Sequence, residues 1–336
     1  MKKTIKDVAK LADVSISTVS RVLNNSAQVD EQKRRKVLNA VEALNYQPNA
    51  LARGLISGKT KTLAVMISDV KSLYFPELLH GMEEAARDEG YNLMICGMNR
   101  DHKTILSYLQ ILNEKRVDGI IFTSEPVYPD YQEIFEQMGI PVLLVSTQSM
   151  EYEIPSIKIN DEQAAFDAAD YLISLGHRKI GMISFPLSDP IAGLPRYQGF
   201  MRALRKNGLE APDDGCEIAP HWFQNGSQAT KKLFAKHPDL TAVFAASDEL
   251  ALGAISALTE MGKTVPGDVS VVGFDNLRIS QMCIPKLTTI AQPLDEIGHK
   301  AIEKITALID GNDLGPLREI VSHELIERDS TASPNP

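Results

Sequence analysis

The chain has little cysteine. Its three residues, Cys96, Cys216 and Cys283, lie far apart and in no Cys-x-x-Cys or Cys/His cluster. That excludes a disulfide framework and argues against a structural zinc, so buried, inert thiols are expected. Tryptophan occurs once, at Trp222. No run approaches the roughly 18 apolar residues that a membrane helix needs. Met1-Lys2-Lys3 leads into an amphipathic stretch instead of an apolar signal segment, and a cytoplasmic location is expected. Catalytic signatures are missing as well: no glycine-rich phosphate loop, no Gly-x-Ser-x-Gly elbow, no His-Glu-x-x-His, and no pattern that sets Ser, His and Asp together. Neither an enzyme nor a bound cofactor or metal is expected.

Charge is present, but unevenly. The net charge is −9, yet residues 1–62 hold 12 Lys/Arg against 5 Asp/Glu while the remainder holds 23 against 39. A basic head on an acidic body points to polyanion binding at one end only. Within that head, residues 4–24 read as two short helices around a tight turn, the second opening with small polar residues and carrying Arg21 one turn later. This is a helix-turn-helix, whose second helix lies in the major groove of DNA with its N-terminal side chains on base edges. Ile5, Val8 and Leu11 line one face of the first helix, and Val19, Val22 and Leu23 one face of the second. A third helix, capped by Asp30, sets Val37, Leu38, Val41 and Leu44 at helical spacing. After Pro48, residues 49–57 form either a flexible linker or a conditional hinge helix. Leu51, Leu55 and Ile56 favour the helix, which orders when two chains and DNA meet.

From Thr62 onward, apolar strands alternate with amphipathic helices. Strands are expected at 63–67, 91–96, 119–122, 142–145, 180–183, 242–245 and 269–273. Helices are expected at 75–89, 101–115, 130–137, 161–175, 196–207, 227–236 and 248–261. Continuous apolar strands separated by such helices indicate parallel sheets covered on both faces. The fold class expected is therefore an N-terminal all-α helix-turn-helix domain plus an α/β sensor of two doubly wound parallel-sheet subdomains with a cleft between them. The expected boundaries are 1–47 for the DNA reader, 48–61 for the hinge and 62–328 for the sensor. Within the sensor, one subdomain takes 62–160 plus 292–323 and the other 161–291. A helix at 294–309 and a strand around Ile320 return to the first subdomain, and 329–336 is expected to be disordered. No leucine-heptad tail is visible near the C-terminus, which favours a dimer over a tetramer built that way.

The chain resembles the LacI/GalR family of bacterial transcriptional regulators over essentially its whole length. The motifs are Ile5-Lys-Asp-Val-Ala9, Val14-Ser-Ile-Ser-Thr-Val-Ser-Arg-Val-Leu-Asn24, Tyr46-Gln-Pro-Asn-Ala-Leu-Ala-Arg-Gly-Leu55, Val117-Asp-Gly-Ile-Ile121, Leu175-Gly-His177, Ser247-Asp-Glu-Leu-Ala-Leu-Gly253, Val271-Val-Gly-Phe-Asp-Asn276 and Leu287-Thr-Thr-Ile290. Each alone is weak; all of them in order are strong. The resemblance implies a homodimer on a pseudo-palindromic double-stranded DNA operator. It also implies a sensor like a periplasmic sugar-binding protein that takes a sugar or sugar phosphate and controls operator affinity. Gln163-Ala-Ala-Phe-Asp-Ala168, Arg202-Ala-Leu204 and Phe274-Asp-Asn276 resemble the catabolite control protein subgroup, for which a phosphorylated phosphocarrier protein is the alternative partner. Acidic Asp295, Glu296 and Glu303 stand on the helix where that subgroup carries base.

By position, Ile16, Ser17 and Arg21 match the family's specificity residues. Arginine can bond guanine bidentately and Ile16 can touch a thymine methyl. Thr4, Ser15, Thr18, Ser20, Asn24, Asn49 and Ala52 match further DNA contacts, with Ser15 and Thr18 alternatively serving only to cap and pack the turn. Leu55 matches a wedge pushed between base steps, or else packs the dimer. Ligands in open α/β sheets sit beyond the carboxyl ends of the strands. The effector positions that match there are Asp69, Tyr74, Phe75, Arg196, Trp222, Asp248, Asp275 and Gln292. Alternatives stay open for several: Asp275 and Arg196 as an inter-subdomain salt bridge, Asp248 as a helix cap, Phe75 as core, and His221 in place of Trp222. Gly176 is expected to end a helix, with His177 a structural neighbour.

Overall fold

Short apolar stripes bring the head together. Helices α1 (Ile5–Ala12), α2 (Ile16–Leu23) and α3 (Glu31–Ala43) bury Val8, Ala9, Ala12, Val19, Val22, Val37 and Ala40 against one another. Asp30 caps α3, its carboxylate accepting from the Gln32 and Lys33 amides at 3.1 and 3.2 Å. Two expected core residues turn outward instead: Leu11 is 55% exposed and Leu38 48%. The buried stripe of α1 runs through Val8, Ala9 and Ala12, which leaves Leu11 on its flank.

The computed structural model describes residues 3–23, 29–46, 59–210, 215–220, 222–313 and 315–335. The chain divides into the units Met1–Lys61 and Thr62–Pro336. The expected hinge helix at 49–57 lies outside the described residues.

Among the described residues, the second unit contains two six-stranded sheets. The first, in spatial order β11-β5-β4-β3-β1-β2, is parallel throughout. Its strands are β1 (Thr62–Ile67), β2 (Asn92–Gly97), β3 (Gly119–Thr123), β4 (Val142–Val145), β5 (Ser156–Ile159) and β11 (Arg318–Val321). Helices α4 (Tyr74–Asp88) and α12 (Leu294–Asp310) pack together on one face, over Leu63, Val65 and Ile121. On the other face α5 (His102–Lys115) and α6 (Pro129–Met138) enclose Met66, Leu109, Phe122, Tyr131 and Phe135. Runs such as Leu63-Ala-Val-Met-Ile67 are buried because both faces are covered, as a parallel sheet requires.

The second sheet runs β12-β10-β9-β8-β6-β7, from β6 (Ile180–Ser184), β7 (Cys216–Ile218), β8 (Ala242–Ala245), β9 (Ser270–Asp275), β10 (Thr288–Ala291) and β12 (Glu324–Ile326). Only β12 is antiparallel to its neighbour. The helix pairs α7 (Asp161–Ser174) with α8 (Gly193–Lys206), and α9 (Phe223–Lys236) with α10 (Asp248–Glu260), cover it. A single turn, α11 (Ile279–Met282), follows β9. The chain crosses between the sheets three times: from β5 to α7, from β10 to α12, and from β11 to β12.

The tail corrects one expectation. Residues 329–335 are not disordered but lie along the second sheet. Buried Ser330 donates to the Val271 carbonyl at 2.6 Å and accepts from the Thr288 amide at 2.8 Å. His177, 1% exposed, bonds the Ala332 carbonyl at 2.9 Å and Thr241 Oγ1 at 2.9 Å. A carbonyl only accepts, so the His177 proton sits on Nε2. Asn335 closes the strap on the Gly267 carbonyl. The tail's small polar composition suggested solvent; its hydroxyls instead complete the hydrogen bonding of β9 and β10.

Candidate functional site

In the first unit, the turn between α1 and α2 is held locally. Asp13 ends α1 in the left-handed conformation at φ 53°, and Val14 donates back to the Ala9 carbonyl at 3.1 Å. Ser15 then opens α2: its Oγ accepts from the Thr18 amide at 3.2 Å and lies 2.8 Å from both Ser17 Oγ and Thr18 Oγ1. Thr4 is engaged too, its amide and hydroxyl both donating to Asp7 Oδ2, which holds that carboxyl below its ordinary pKa. Val19 and Val22 face the core, while Ile16, Ser17 and Arg21 are exposed, with half-buried Ser20 beside them. An isoleucine, a serine and an arginine thus project together from the first turns of one helix. Asn24, Asn49, Ala52 and Leu55 lie outside the described residues.

In the second unit a cavity of about 190 Å³ opens at the carboxyl ends of the strands, between the two sheets. Asp69 follows β1, Ser124 follows β3, Ser146 follows β4 and Asp275 ends β9; all four line it. Tyr74 and Phe75 form a wall from α4, their rings edge to face at 5.4 Å, and Tyr74 Oη reaches Ser146 Oγ at 2.6 Å. Trp222 stands across from the second sheet's side. Ser124, Ser146, Trp222 and Asp275 all carry positive φ (53°, 56°, 127° and 114°), so backbone strain gathers around this one cavity. Strain of this kind, of order 1–3 kcal/mol per residue, persists where packing over-determines it and is typical of ligand sites.

Arg196 is the hub. Its Nε and Nη2 donate to Asp161 Oδ1 at 3.0 and 2.9 Å, and its Nη1 donates to the Ala246 carbonyl at 2.6 Å. The guanidinium lies 3.6 Å from the centre of the Phe274 ring, and 3.8 Å separates its Nη1 from Asp275 Oδ1. Lys158 adds a second cation to Asp161 at 3.0 Å. Asp275 also accepts from Gln292 Nε2 at 2.7 Å. Burial pushes the Asp275 carboxyl up to about 7, with Arg196 and Gln292 opposing the shift. Glu249 shares the cavity, its Oε2 3.5 Å from the Leu73 amide across the cleft, and burial raises it too. Among the described residues, eight charged side chains line the cavity: Asp69, Asp161, Asp189, Glu249 and Asp275 against Arg100, Lys158 and Arg196. Paired carboxylates, one arginine and aromatic walls can hold hydroxyl groups in fixed directions.

Residues 4–49 match the model of bacterial regulatory proteins of the lacI family, and residues 59–329 match that of periplasmic binding proteins and the sugar binding domain of the LacI family. The chain belongs to the LacI family. It is a DNA-binding transcriptional regulator with a periplasmic-binding-protein-like sensor. Catabolite control protein A of Priestia megaterium is 37% identical over 331 residues, which cover 98% of this chain and 100% of that one. The lac repressor dimer bound to operator and the anti-inducer ONPF superposes with a TM-score of 0.89 at 27% identity, covering 99% and 100% of the two chains. A complex of the regulator CelR with cellobiose gives 0.75 at 28% identity, covering 98% and 99%. Among the described residues, no helix is long and apolar enough to cross a membrane.

Within this LacI-family sensor, seven of the eight expected effector residues line the cavity: Asp69, Tyr74, Phe75, Arg196, Trp222, Asp275 and Gln292. Phe75 is also core, at 3% exposure. Asp248 is the exception. It is fully buried behind β9, where it accepts from the Leu277 amide at 2.7 Å and from Thr289 Oγ1 at 2.5 Å, and it reaches no part of the cavity. Nor does it cap its helix, because Ser247 accepts from Leu250 N in that role. The carboxylate that does face the cavity is its neighbour Glu249, about 100° further round α10. Lys158, Asp161, Arg100 and Asp189 were also missed. The one signal for Lys158 and Asp161 is a lysine inside Ser156-Ile-Lys-Ile159, three residues before an aspartate at a helix start. His221 lies outside the described residues.

Proposed function

We propose that this chain is a cytoplasmic, homodimeric repressor of carbohydrate-related genes. A neutral polyhydroxylated molecule in the cleft controls its affinity for the operator, and the cleft binds without turnover. The observation that carries this is the Arg196 hub: a buried guanidinium stacked over Phe274 and flanked by Asp161 and Asp275, in a cavity that Tyr74, Phe75 and Trp222 also line. Cellobiose in the CelR complex is a ligand of the same chemistry. A sugar phosphate fits less well, since each cation lining the space already faces a carboxylate, Arg196 and Lys158 at Asp161 and Arg100 at Glu125, which leaves none to neutralise a dianion. At the DNA end, Arg21 and Ile16 read base edges while Ser15 caps the helix that presents them. Asn24, Asn49 and Ala52 would add contacts and Leu55 the minor-groove wedge.

The similarity to catabolite control protein A favours a second reading, with a phosphorylated phosphocarrier protein as corepressor. Against it, α12 has no basic residue to spare for a phosphoserine. Lys300 and Lys304 both donate to Glu319, at 2.9 and 3.0 Å, and Lys304 is 5% exposed, while Asp295, Glu296 and Glu303 stand outward.

Trp222 fluorescence, titrated with neutral sugars and with sugar phosphates, tests the reading. A saturable response to a neutral sugar that Arg196→Ala abolishes is expected. A response to phosphorylated sugars alone would overturn the charge argument, and silence to both with binding of the seryl-phosphorylated carrier would install the second reading.

A further inference from the structure

Away from the cleft, α4 and α12 cross at two glycines. A Cβ at Gly81 would strike the Asp295 carbonyl oxygen, and one at Gly298 would lie 2.5 Å from the Leu78 carbonyl oxygen and 2.8 Å from the Met82 amide. The two backbones therefore touch, and side chains one turn along each helix meet at the rim. There, α4 presents His80 and Glu84, and α12 presents Asp295 and His299, each pair spaced i,i+4 so that both members share a face. Ligand atoms of His80, Glu84 and Asp295 all lie within 4.8 Å of one another. His80 Nδ1 is 2.9 Å from Asp295 Oδ1, and His299 Nε2 is 3.8 Å from Glu84 Oε2.

We propose that His80, Glu84, Asp295 and His299 form a binding site for a divalent transition-metal ion that bridges α4 and α12. Two imidazoles and two carboxylates are a donor set that suits zinc and its neighbours better than magnesium or calcium. Ligands at about 2.0–2.2 Å in a tetrahedron stand roughly 3.4 Å apart; atoms of His80, Glu84 and Asp295 already lie within 4.8 Å of one another, and His299, whose Nδ1 bonds the Asp295 carbonyl at 2.9 Å, would offer its Nε2, 3.8 Å from Glu84. Mutual approach of the helices, fixed by Gly81 and Gly298, supplies the preorganisation that exposed carboxylates alone lack. The bridge would also matter to the sensor. The helix that carries His80 begins with Tyr74 and Phe75, and Asp295 follows Gln292 by three residues, so a bound ion would stiffen two elements that line the cleft.

The test uses the untagged full-length chain, stripped with chelator, and zinc chloride or cobalt chloride alone. Calorimetry is expected to show one saturable equivalent of zinc per chain, with a rise in melting temperature and a visible d–d band on loading with cobalt. His80→Ala combined with His299→Ala, and separately Asp295→Asn, should weaken binding at least about tenfold. His102→Ala combined with His323→Ala, which removes two other His–Asp pairs, should change nothing. All four residues of the site lie at the surface, and unaltered melting of the metal-free variants checks that they fold. Binding of unchanged affinity in the His80/His299 double variant, or no saturable binding by the parent chain, would overturn the proposal.

Discussion

Asp275→Asn is expected to make the protein more stable while making it a poorer sensor, and the pH at which this happens is set by burial. The carboxyl titrates at about 7 in the folded chain, against an ordinary 3.8. A carboxyl whose folded pKa is raised binds its proton more tightly in the native state. Its contribution to stability is complete below about pH 4 and is lost as pH rises through 7. About three pKa units correspond to about 4 kcal/mol. Solvent admitted to the opening cleft screens part of this, so about 1–3 kcal/mol is the expected penalty at pH 8. Asparagine cannot ionise, keeps the acceptor for Gln292, and tolerates the positive φ of position 275 better than other side chains. Urea unfolding followed by far-UV circular dichroism at pH 5 and pH 8, on parent and variant, gives the difference directly. Glu125, also raised by burial, is common to both proteins and cancels; Asp248 and Glu249, which repel the Asp275 charge, ionise more readily once it is gone and move the difference in the same direction. About a third of the loss is already complete at pH 5, so the gap in favour of asparagine should widen by about 1–2 kcal/mol between the two pH values, and effector affinity at pH 8 should fall about 10- to 100-fold with the lost charge-assisted bonds. Parallel stability profiles would refute the reasoning, because they would mean that Asp275 is not a desolvated carboxylate.

Arg21→Ala should remove about 1–3 kcal/mol of discrimination at one base pair of each half-site, read as a flattened preference at that position in a binding selection, with the head's melting unchanged. His177→Ala should cost about 2–3 kcal/mol, since buried bonds to Ala332 and Thr241 are lost. Limited proteolysis should then clip residues 329–336 faster than in the parent chain, and equal clipping rates would show that the histidine does not hold the strap.

Much of this arrangement is legible in sequence where one signal dominates. Continuous runs such as Leu63–Ile67 or Ala242–Ala245 declare buried parallel strands; the helix Leu294–Asp310 packs on the first sheet and the strand Arg318–Val321 pairs with β5. β5 escapes because Lys158 interrupts it. Only the three-dimensional structure shows that the lysine is neutralised by Asp161, the first residue of the helix that follows. The error at Asp248 has a similar root. Position after a strand places a residue near the cleft, but which of two neighbours points in depends on how the helix is rotated, and 100° separates Asp248 from Glu249. Side-chain networks that join distant segments, such as Arg196 with Asp161 and Ala246, leave no local trace at all.

The three crossings have a consequence for how the protein is made. Ile297, Ala301, Ile302 and Ile305 of α12 complete the core beneath the first sheet, and β11 pairs with β5 at its edge. β12 and the strap at 329–335 finish the second sheet. Both sheets thus wait for residues 292–335, and a ribosome adding about 5–20 residues per second needs roughly 20–70 s to deliver a chain of this length. Throughout that interval neither half is closed. A chain cut short in its last segment loses cover on both sheets at once, so partial products stay open to proteases and only a finished chain becomes a rigid sensor.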